Sequence, residues 1–294
     1  MLNKPVRRVT LVDLAVMMTV AAGVLLFFLR MVHVLDYHWD WRVIPGYFLF
    51  RDPVTGRFQA NMLLQGFGTT LKLSAWSMVL AFFLGTISGI LGARGGFAGK
   101  MISRFYVETV RNIPSLVLVI LFYYFVSSQF LDALGLDQWV RRQPEPIARG
   151  ISFFLAGSGQ INAFVSAAVA LAIYEGAYIS EIVRGGINGI PKGQWEAAWS
   201  MGLSQAQTFR LVVLPQAFRR AAFPLAGQFI STIKDSAIVS IISVQELTFQ
   251  GMELMAATFL TFEIWITITL LYFALTFSLS RTISFFEKRL AIRQ

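Results

Sequence analysis

The chain has 294 residues, of which 56% are hydrophobic and 14% are charged, and its formal net charge is +9. A soluble domain has about 45–50% apolar and about 25% charged residues, so this composition indicates a protein whose main solvent is lipid and excludes a disordered chain. The absence of cysteine excludes a disulfide scaffold and a thiolate metal site, and with two histidines no zinc enzyme is expected.

Six segments are apolar over the length of about 20 residues that a helix needs to cross a bilayer core. They are residues 11–29, 69–91, 102–126, 162–183, 223–242 and 258–283. The first follows three cations, as in a signal peptide, but its apolar run is long and no small-x-small cleavage site follows it. We therefore interpret residues 1–60 as a signal-anchor helix followed by a periplasmic linker rich in aromatic residues, which are typical of the membrane interface.

The positive charge is unevenly distributed along the chain. Most of the 25 Lys and Arg residues fall at the N-terminus, after the second and fourth spans, and at the C-terminal end. An excess of cations marks the cytoplasmic side of a membrane protein, so we expect an all-α membrane protein with six transmembrane helices and both termini cytoplasmic. Residues 289–294 then form a cytoplasmic tail. Membrane topology explains the charge, and no nucleic-acid partner is expected.

Two further features lie between the spans. Gly85 and Gly89 form a GxxxG pattern that Gly92 extends, which predicts close packing of the second span against another helix of the same chain. The outer segment at 127–161 is long, and two interpretations stay open for it: a docking surface for an external partner, or a plain connector.

Residues 184–219, after the fourth span, predict two short helices around a glycine. Pro191 is suited to the start of the first helix, and Gly202 to a left-handed residue that ends it. Ser204 and Gln207 have the spacing of a capping box that opens the second helix, and Pro215 is expected to stop it. Trp195, Ala198 and Trp199 are expected to share one face of the first helix. Such a rigid helix pair is suited to being gripped by another protein.

The same loop carries a specific spacing of residues. Glu196-Ala197-Ala198-x-x-x-Gly202, followed after nine residues by Val212-x-Leu214-Pro215, resembles the EAA loop of ABC importer permeases, with Val in place of Ile at 212. The wider matches resemble the polar amino acid subfamily and cover about residues 61–288. They are 176–187, 190–198, 214–217, 228–236 and the Arg-x-x-Pro segment at 111–114. Residues 1–60, the long segment 127–161 and Gly227, where the family often has Asn, depart from the pattern.

The resemblance implies the type I ABC importer permease fold for residues 61–288, in the bacterial cytoplasmic membrane. It implies that two permease subunits, identical or related, form the translocation path, and that two cytoplasmic ATP-binding subunits grip the coupling loop at about 184–219. A periplasmic or lipid-anchored binding protein would deliver the amino acid. ATP and magnesium would bind the partner ATPase, while this chain would bear no catalytic residue, cofactor or metal. The residues implied in coupling are Trp195, Glu196, Ala197, Ala198, Gly202, Leu214 and Pro215.

Charged residues within the spans are candidates for function because they are costly to bury in lipid. Lys72 lies near an outer end and is interpreted as snorkelling to the interface. Lys234 and Asp235 are adjacent and point about 100° apart on a helix, so each is expected to pair with another element or to line the path.

Glu175 is the sharpest of these candidates. We expect it to face a midplane cavity and attract the ammonium group of an amino acid, or else to form a buried pair with Lys72 or Lys234. Tyr174, Tyr178, Gln228 and Ser231 are further candidates for the same path. Within the ABC interpretation, an opine or a zwitterionic osmolyte is an alternative substrate. An ion-driven secondary transporter is a second alternative, but it predicts internal repeats that are not seen and leaves the EAA spacing unexplained.

Overall fold

The computed structural model describes residues 10–35, 37–157 and 159–291. The chain divides into two units, Met1–Trp41 and Arg42–Gln294. Three of the N-terminal cations, Lys4, Arg7 and Arg8, lie outside the described residues, as do residues 292–294 of the tail at 289–294.

The first unit contains helix α1, Leu11–Leu35. Thr10 and Asp13 cap its start reciprocally, since the Thr10 backbone N–H donates to Asp13 Oδ2 (2.9 Å) and the Asp13 N–H donates to Thr10 Oγ1 (3.2 Å). Its apolar side chains are exposed, as in a helix whose solvent is lipid. Leu11–Phe27 is an apolar helical stretch within it.

A short segment of mixed structure surrounds the start of the second unit at Arg42. A 3-10 turn, Trp41–Val43, leads into α2, Ile44–Phe48, and then into the antiparallel strands β1, Leu49–Arg51, and β2, Phe58–Ala60. Leu49 pairs with Ala60 and Arg51 with Phe58. This hairpin lies within the segment interpreted from the sequence as a linker.

The remaining elements are helical. The longest are α3, Met62–Arg94; α9, Ile161–Asn188; α12, Leu214–Asp235; and α14, Thr261–Ala291. Between α3 and α9 lie α4, Phe97–Asn112; α5, Ser115–Leu121; a π-helix at Phe122–Ser127; α6, Ser128–Leu134; α7, Leu136–Arg141; and α8, Glu145–Phe154. Between α9 and α14 lie α10, Lys192–Ser200; α11, Gln205–Gln207; a π-helix at Thr208–Val213; a 3-10 helix at Ser236–Ile242 after α12; and α13, Leu247–Thr258.

The predicted third span, 102–126, is not one continuous helix. The axis bends by 107° between Phe97–Asn112 and Ser115–Leu131. Pro114 lacks a backbone N–H, and Ile113 before it is extended (φ −92°, ψ 131°), because proline disfavours the helical conformation of the preceding residue. By length and composition, the described residues contain four helices able to cross a membrane, or five if this bent pair is one span.

Small residues bring α3 and α9 into close contact, which confirms the packing predicted for Gly85 and Gly89. A Cβ atom on Gly85 would lie 2.6 Å from the carbonyl oxygen of Gly176, and one on Gly89 would lie 2.6 Å from that of Ser180. Ser180 also donates from its hydroxyl to Ser88 Oγ at 3.0 Å. The two helix backbones therefore meet across positions where no side chain larger than hydrogen fits.

Two further sets of hydrogen bonds fix the ends of helices in this unit. The Lys72 ammonium donates to the carbonyl oxygen of Ser152 (3.2 Å), and the Trp76 indole donates to that of Phe154 (2.9 Å), so the end of α8 is held on α3. At the start of α13, the buried Glu246 carboxylate accepts hydrogen bonds from the backbone N–H groups of Thr248 and Phe249, at 2.9 and 2.8 Å.

Candidate functional site

The loop after α9 forms the helix pair that the sequence predicts. Gly202 is left-handed (φ +81°) and follows Met201, the C-cap of α10, and the capping box of Ser204 and Gln207 opens α11. Both predictions are confirmed, and Pro191 precedes the first helical residue, Lys192, as its N-cap. A short hairpin of α10 and α11 results, with the glycine at its turn.

The expectation that Pro215 stops the second helix is wrong. The chain runs from α11 through the π-helix at Thr208–Val213 directly into α12, in which Pro215 occupies one of the first two positions. Pro215 has no N–H to donate, and the π-helix directly before α12 marks the place where the regular i to i−4 bonding is interrupted while the helical chain continues. The second arm of the hairpin is thus continuous with a candidate span, Gln205–Ile242.

The residues of α10 divide into a face packed on the body and a face open to the surroundings. Ala198 is 1% exposed and Trp195 is half-buried, whereas Glu196, Ala197 and Trp199 are exposed. Trp195 and Trp199 are neighbours on α10, as predicted, with ring centroids 6.3 Å apart. The predicted face is not buried as a whole, because Trp199 is exposed. Among the second-arm candidates, Leu214 is half-buried and Pro215 is exposed.

Arg94, at the end of α3, joins both arms of the hairpin. Its guanidinium carbon lies 4.6 Å from the centroid of the Trp195 ring and 5.5 Å from that of Phe209. Cation–π contacts of this kind each contribute about 0.5–1 kcal/mol at exposed sites and about 2 when desolvated. In the sequence Arg94 is one of the cations that follow the second span, and nothing in the spacing links it to rings more than a hundred residues away.

The hairpin is also tied to its flanking helices. Gln216 Nε2 donates to Gln194 Oε1 at 3.1 Å and to the carbonyl oxygen of Val212 at 2.9 Å, and Arg220 donates to the carbonyl oxygen of Gly189. These bonds join α12 to α10 and to the residue that follows α9.

Glu175 lies at the contact between α9 and α12 and is fully buried. Its Oε2 atom accepts a 2.5 Å hydrogen bond from Gln228 Nε2, and its Oε1 atom has no hydrogen-bond partner among the described residues. Thr232 and Asp235 interact with the same carboxylate. A buried carboxylate without full hydrogen bonding is costly, so this oxygen is the atom of the cluster best able to accept a further donor.

Among the described residues, Glu175 does not form the alternative buried pair with Lys72 or Lys234. Lys72 donates to Ser152 instead, and Lys234 is exposed on another face of α12. Within the described part of the chain, neither Lys234 nor Asp235 forms an ion pair, so the two adjacent charges do not neutralise each other.

The two candidate tyrosines form a pair beside Glu175. The Tyr174 and Tyr178 hydroxyls lie 3.2 Å apart, their rings are 5.2 Å apart edge to face, and Tyr174 interacts with Glu175 and Asp235. The Arg111 guanidinium lies 5.2 Å from the Tyr178 ring. The fold thus gathers most of the predicted path residues at one place, whereas Lys234 is directed away from it. Ser231 is half-buried.

Cavities open both beside this cluster and away from it. An outer cavity of about 760 Å³ is lined by α3, α8 and the start of α13. Lys72 and Gln250 are among its lining residues. Gln250 is buried, and its Oε1 atom has no hydrogen-bond partner among the described residues. An inner cavity of about 470 Å³ lies between α4 and α9, and a smaller one of about 300 Å³ reaches Tyr178. Apart from Lys72, sequence reasoning identified none of the residues of the outer cavity, because glutamines within a span give no periodic signal.

Comparison with known proteins gives consistent matches over most of the chain. Residues 81–292 match the family model described as binding-protein-dependent transport system inner membrane component. The glutamine transport system permease protein GlnP of Escherichia coli (strain K12) is 32% identical over 231 residues, covering 79% of this chain and 94% of that protein. The probable glutamine ABC transporter permease protein GlnP of Bacillus subtilis (strain 168) is 35% identical over 238 residues, covering 79% and 93%. A crystal structure of an amino acid ABC transporter with histidines has a chain that is 29% identical, with a TM-score of 0.65, covering 86% of this chain and all of that one.

Proposed function

Because the chain belongs to the family of binding-protein-dependent transport system inner membrane components, as a permease of the polar amino acid ABC importers, we propose that it forms the translocation path of an ATP-driven importer. It is a multi-pass protein of the bacterial inner membrane and a transport subunit, not a catalytic one. Membership of this family disfavours the alternative function of an ion-driven secondary transporter.

We place the substrate path at the contact of α9 and α12. The observation that carries this proposal is the Glu175 carboxylate, buried in a span with one oxygen lacking a partner in the described part of the chain. An α-ammonium group supplies the charge and donors that this oxygen lacks. Gln228 and Tyr174 add hydrogen-bonding groups beside it, and Asp235 adds negative charge, as recognition of a zwitterion or a cationic side chain requires.

We propose six spans with both termini cytoplasmic. The distribution of Lys and Arg supports this topology, with α1 as a signal anchor followed by the linker to residue 60, the permease domain at 61–288 and a tail at 289–294. The third of these spans is interrupted by the bend at Pro114 and is completed by the helix that follows it. The coupling loop lies on the cytoplasmic side in this arrangement.

Coupling to ATP hydrolysis is proposed to run through the α10–α11 hairpin. Two ATP-binding subunits, which carry ATP and magnesium, grip its outward side chains, Glu196, Ala197 and Trp199. Trp195, Ala198 and Leu214 hold the hairpin on the body, and Gly202 sets the angle between its arms. The burial of the EAA residues supports these roles, because Ala198 is buried against the body while Glu196 and Ala197 are exposed.

The remaining partners are a second permease, identical or related, and a periplasmic or lipid-anchored binding protein that delivers the amino acid. The test is reconstitution of the full complex in liposomes with ATP inside and binding protein outside. We expect uptake of labelled glutamine, the substrate named for the relatives, only with both ATP and binding protein. Uptake that a sodium or proton gradient drives without ATP would overturn the proposal. A preference for an opine or for glycine betaine over every amino acid would overturn the substrate class.

A further inference from the structure

The inner cavity between α4 and α9 has a lining unlike that of the substrate path. Four cations surround it together with two carboxylates, above a floor that includes Gly92 and the buried Ser103. We call it the basic cavity and define it by its charged residues, which are Lys100, Arg104, Glu108, Arg111, Glu181 and Arg184. No proposed step of transport uses its cations.

The charges of the basic cavity do not cancel. Arg104 pairs with Glu108 at 2.7 Å on α4, and Arg184 pairs with Glu181 at 2.5 Å on α9. Within the described part of the chain, Lys100 and Arg111 have no ion pair, although Arg111 lies near Glu181 and over the Tyr178 ring. The lining therefore has more cations than carboxylates, and it is open enough, at about 470 Å³, for a charged group of the size of a phosphodiester.

Helix α4 presents three different faces. Ser103, Val107 and Val110 are buried against the body, while Phe97 and Phe105 are 86% and 73% exposed. Lys100, Arg104 and Arg111 are four and seven residues apart, so they lie along one side of α4 and form a basic stripe. This stripe runs between the buried face and the exposed aromatic face. A basic stripe beside an exposed apolar face is the pattern of a helix that lies in a membrane interface.

The bend at Pro114 agrees with such a position. Because α4 turns by 107° from the helix that follows it, the two cannot both run along the membrane normal. If the helix after Pro114 crosses the bilayer, α4 lies near the plane of its surface. In the proposed topology this surface faces the cytoplasm, where basic pockets between membrane helices bind anionic headgroups.

From these observations we propose that the basic cavity binds the phosphate of an anionic phospholipid. Lys100 and Arg111 meet the phosphate charge, and the acyl chains lie along Phe97, Met101 and Phe105, which adjoin the basic stripe. A free anion explains the cations but not the exposed aromatic face beside them, and for that reason a lipid is the occupant. The proposal uses the proposed orientation of the chain but is independent of the amino acid transported.

The test uses the full chain in complex with its ATPase subunits, purified and delipidated in detergent. Binding of dioleoyl-phosphatidylglycerol and dioleoyl-phosphatidylcholine is measured by native mass spectrometry. We expect the wild type to favour the anionic lipid by about tenfold or more, since each surface cation adds roughly a factor of five. The double variant Lys100→Gln/Arg111→Gln is expected to lose most of this preference.

A matched variant separates a local site from net charge. Arg57→Gln/Arg142→Gln removes the same charge from exposed positions outside the basic cavity and is expected to keep the wild-type preference. The charge-conserving variant Lys100→Arg/Arg111→Lys is also expected to keep it, which guards against misfolding as the cause of a loss. An equal loss in the Arg57/Arg142 variant, or equal binding of both lipids by the wild type, would overturn the proposal.

Two competitors identify the source of the anion. Inorganic phosphate at millimolar concentration is expected to leave the lipid bound, and so is glutamine. Displacement of the lipid by inorganic phosphate would make the basic cavity a site for a free anion, and displacement by glutamine would make it an exit vestibule for substrate. Either result contradicts the proposal while leaving the proposed transport function intact.

Discussion

The Nε2 atom of Gln228 donates a 2.5 Å hydrogen bond to Oε2 of Glu175, which joins α12 to α9 at a carboxylate with no exposed surface. The bond satisfies one oxygen and leaves the other without a partner in the described residues. Because α12 continues directly from the hairpin proposed to contact the ATPase, this bond also links the coupling loop to the proposed substrate path.

Replacing Glu175 with Gln tests the role of its charge. The amide has the same size and accepts a hydrogen bond from Gln228, but it cannot attract an ammonium group. A hydrogen bond to a charged group contributes about 1.5–3 kcal/mol, so the kcat/KM of uptake is expected to fall about 10- to 100-fold. The measurement is ATP-driven uptake in proteoliposomes at equal amounts of assembled complex, with Glu253→Gln, at an exposed position on α13, as the control. Normal uptake by Glu175→Gln would remove the residue from the substrate path.

Replacing Gly202 with Val tests the turn of the hairpin. Its φ of +81° is a conformation that costs a residue with a Cβ roughly 1–2 kcal/mol, and more when the residue is β-branched. We expect membrane insertion to survive while transport and substrate-stimulated ATPase activity fall together. Gly193→Val is the matched control, because Gly193 lies within α10 with open space around it. Wild-type coupling in Gly202→Val would show that the hairpin is not the coupling element.

Replacing Gly85 with Ala tests the packing of α3 on α9. The added Cβ meets the carbonyl oxygen of Gly176 at 2.6 Å, which only a shift of the helix backbone can relieve. Overpacking of this kind costs about 1–3 kcal/mol, so the complex is expected to unfold at a lower temperature in detergent. Gly68→Ala on the same helix has nothing within 4 Å of the new Cβ and is expected to leave the transition temperature unchanged or slightly raised. Equal transition temperatures for the two variants would contradict the close approach.

Replacing Arg94 with Leu tests the contact between α3 and the hairpin. Loss of the cation from Trp195 and Phe209 removes about 0.5–2 kcal/mol of attraction, so the hairpin is expected to move less rigidly with α3. We expect a lower ratio of amino acid transported to ATP hydrolysed, with Arg94→Lys intermediate because its ammonium retains the charge without the planar stacking. Arg142→Gln, in the outer segment, should keep the wild-type ratio. An unchanged ratio in Arg94→Leu would assign Arg94 to topology alone.

Most of the α10–α11 hairpin could be predicted from the sequence because its geometry is set locally. A left-handed glycine and a capping box depend on residues within a few positions of each other, and both Gly202 and Ser204 adopt the expected conformations. The outcome at Pro215 differs because a proline in the first turn of a helix and a proline that stops a helix leave the same mark in the sequence. The break at Pro114 lies where the charged helix α4, with Arg111 near its end, gives way to the apolar Ser115–Leu121, so the predicted span 102–126 ran across a boundary that the proline marks.

The sequence by itself determined that lipid surrounds this chain, that cations are concentrated in particular loops, and that α3 carries a face of small residues. Composition and short-range spacing decide these properties. Only the tertiary structure decided that Glu175 meets Gln228, not a lysine, that Arg94 lies over Trp195, and that α4 and α9 enclose a basic cavity. Each of these contacts depends on the rotation of one helix against another, and that rotation follows from the packing of whole helix faces, not from any local run of residues.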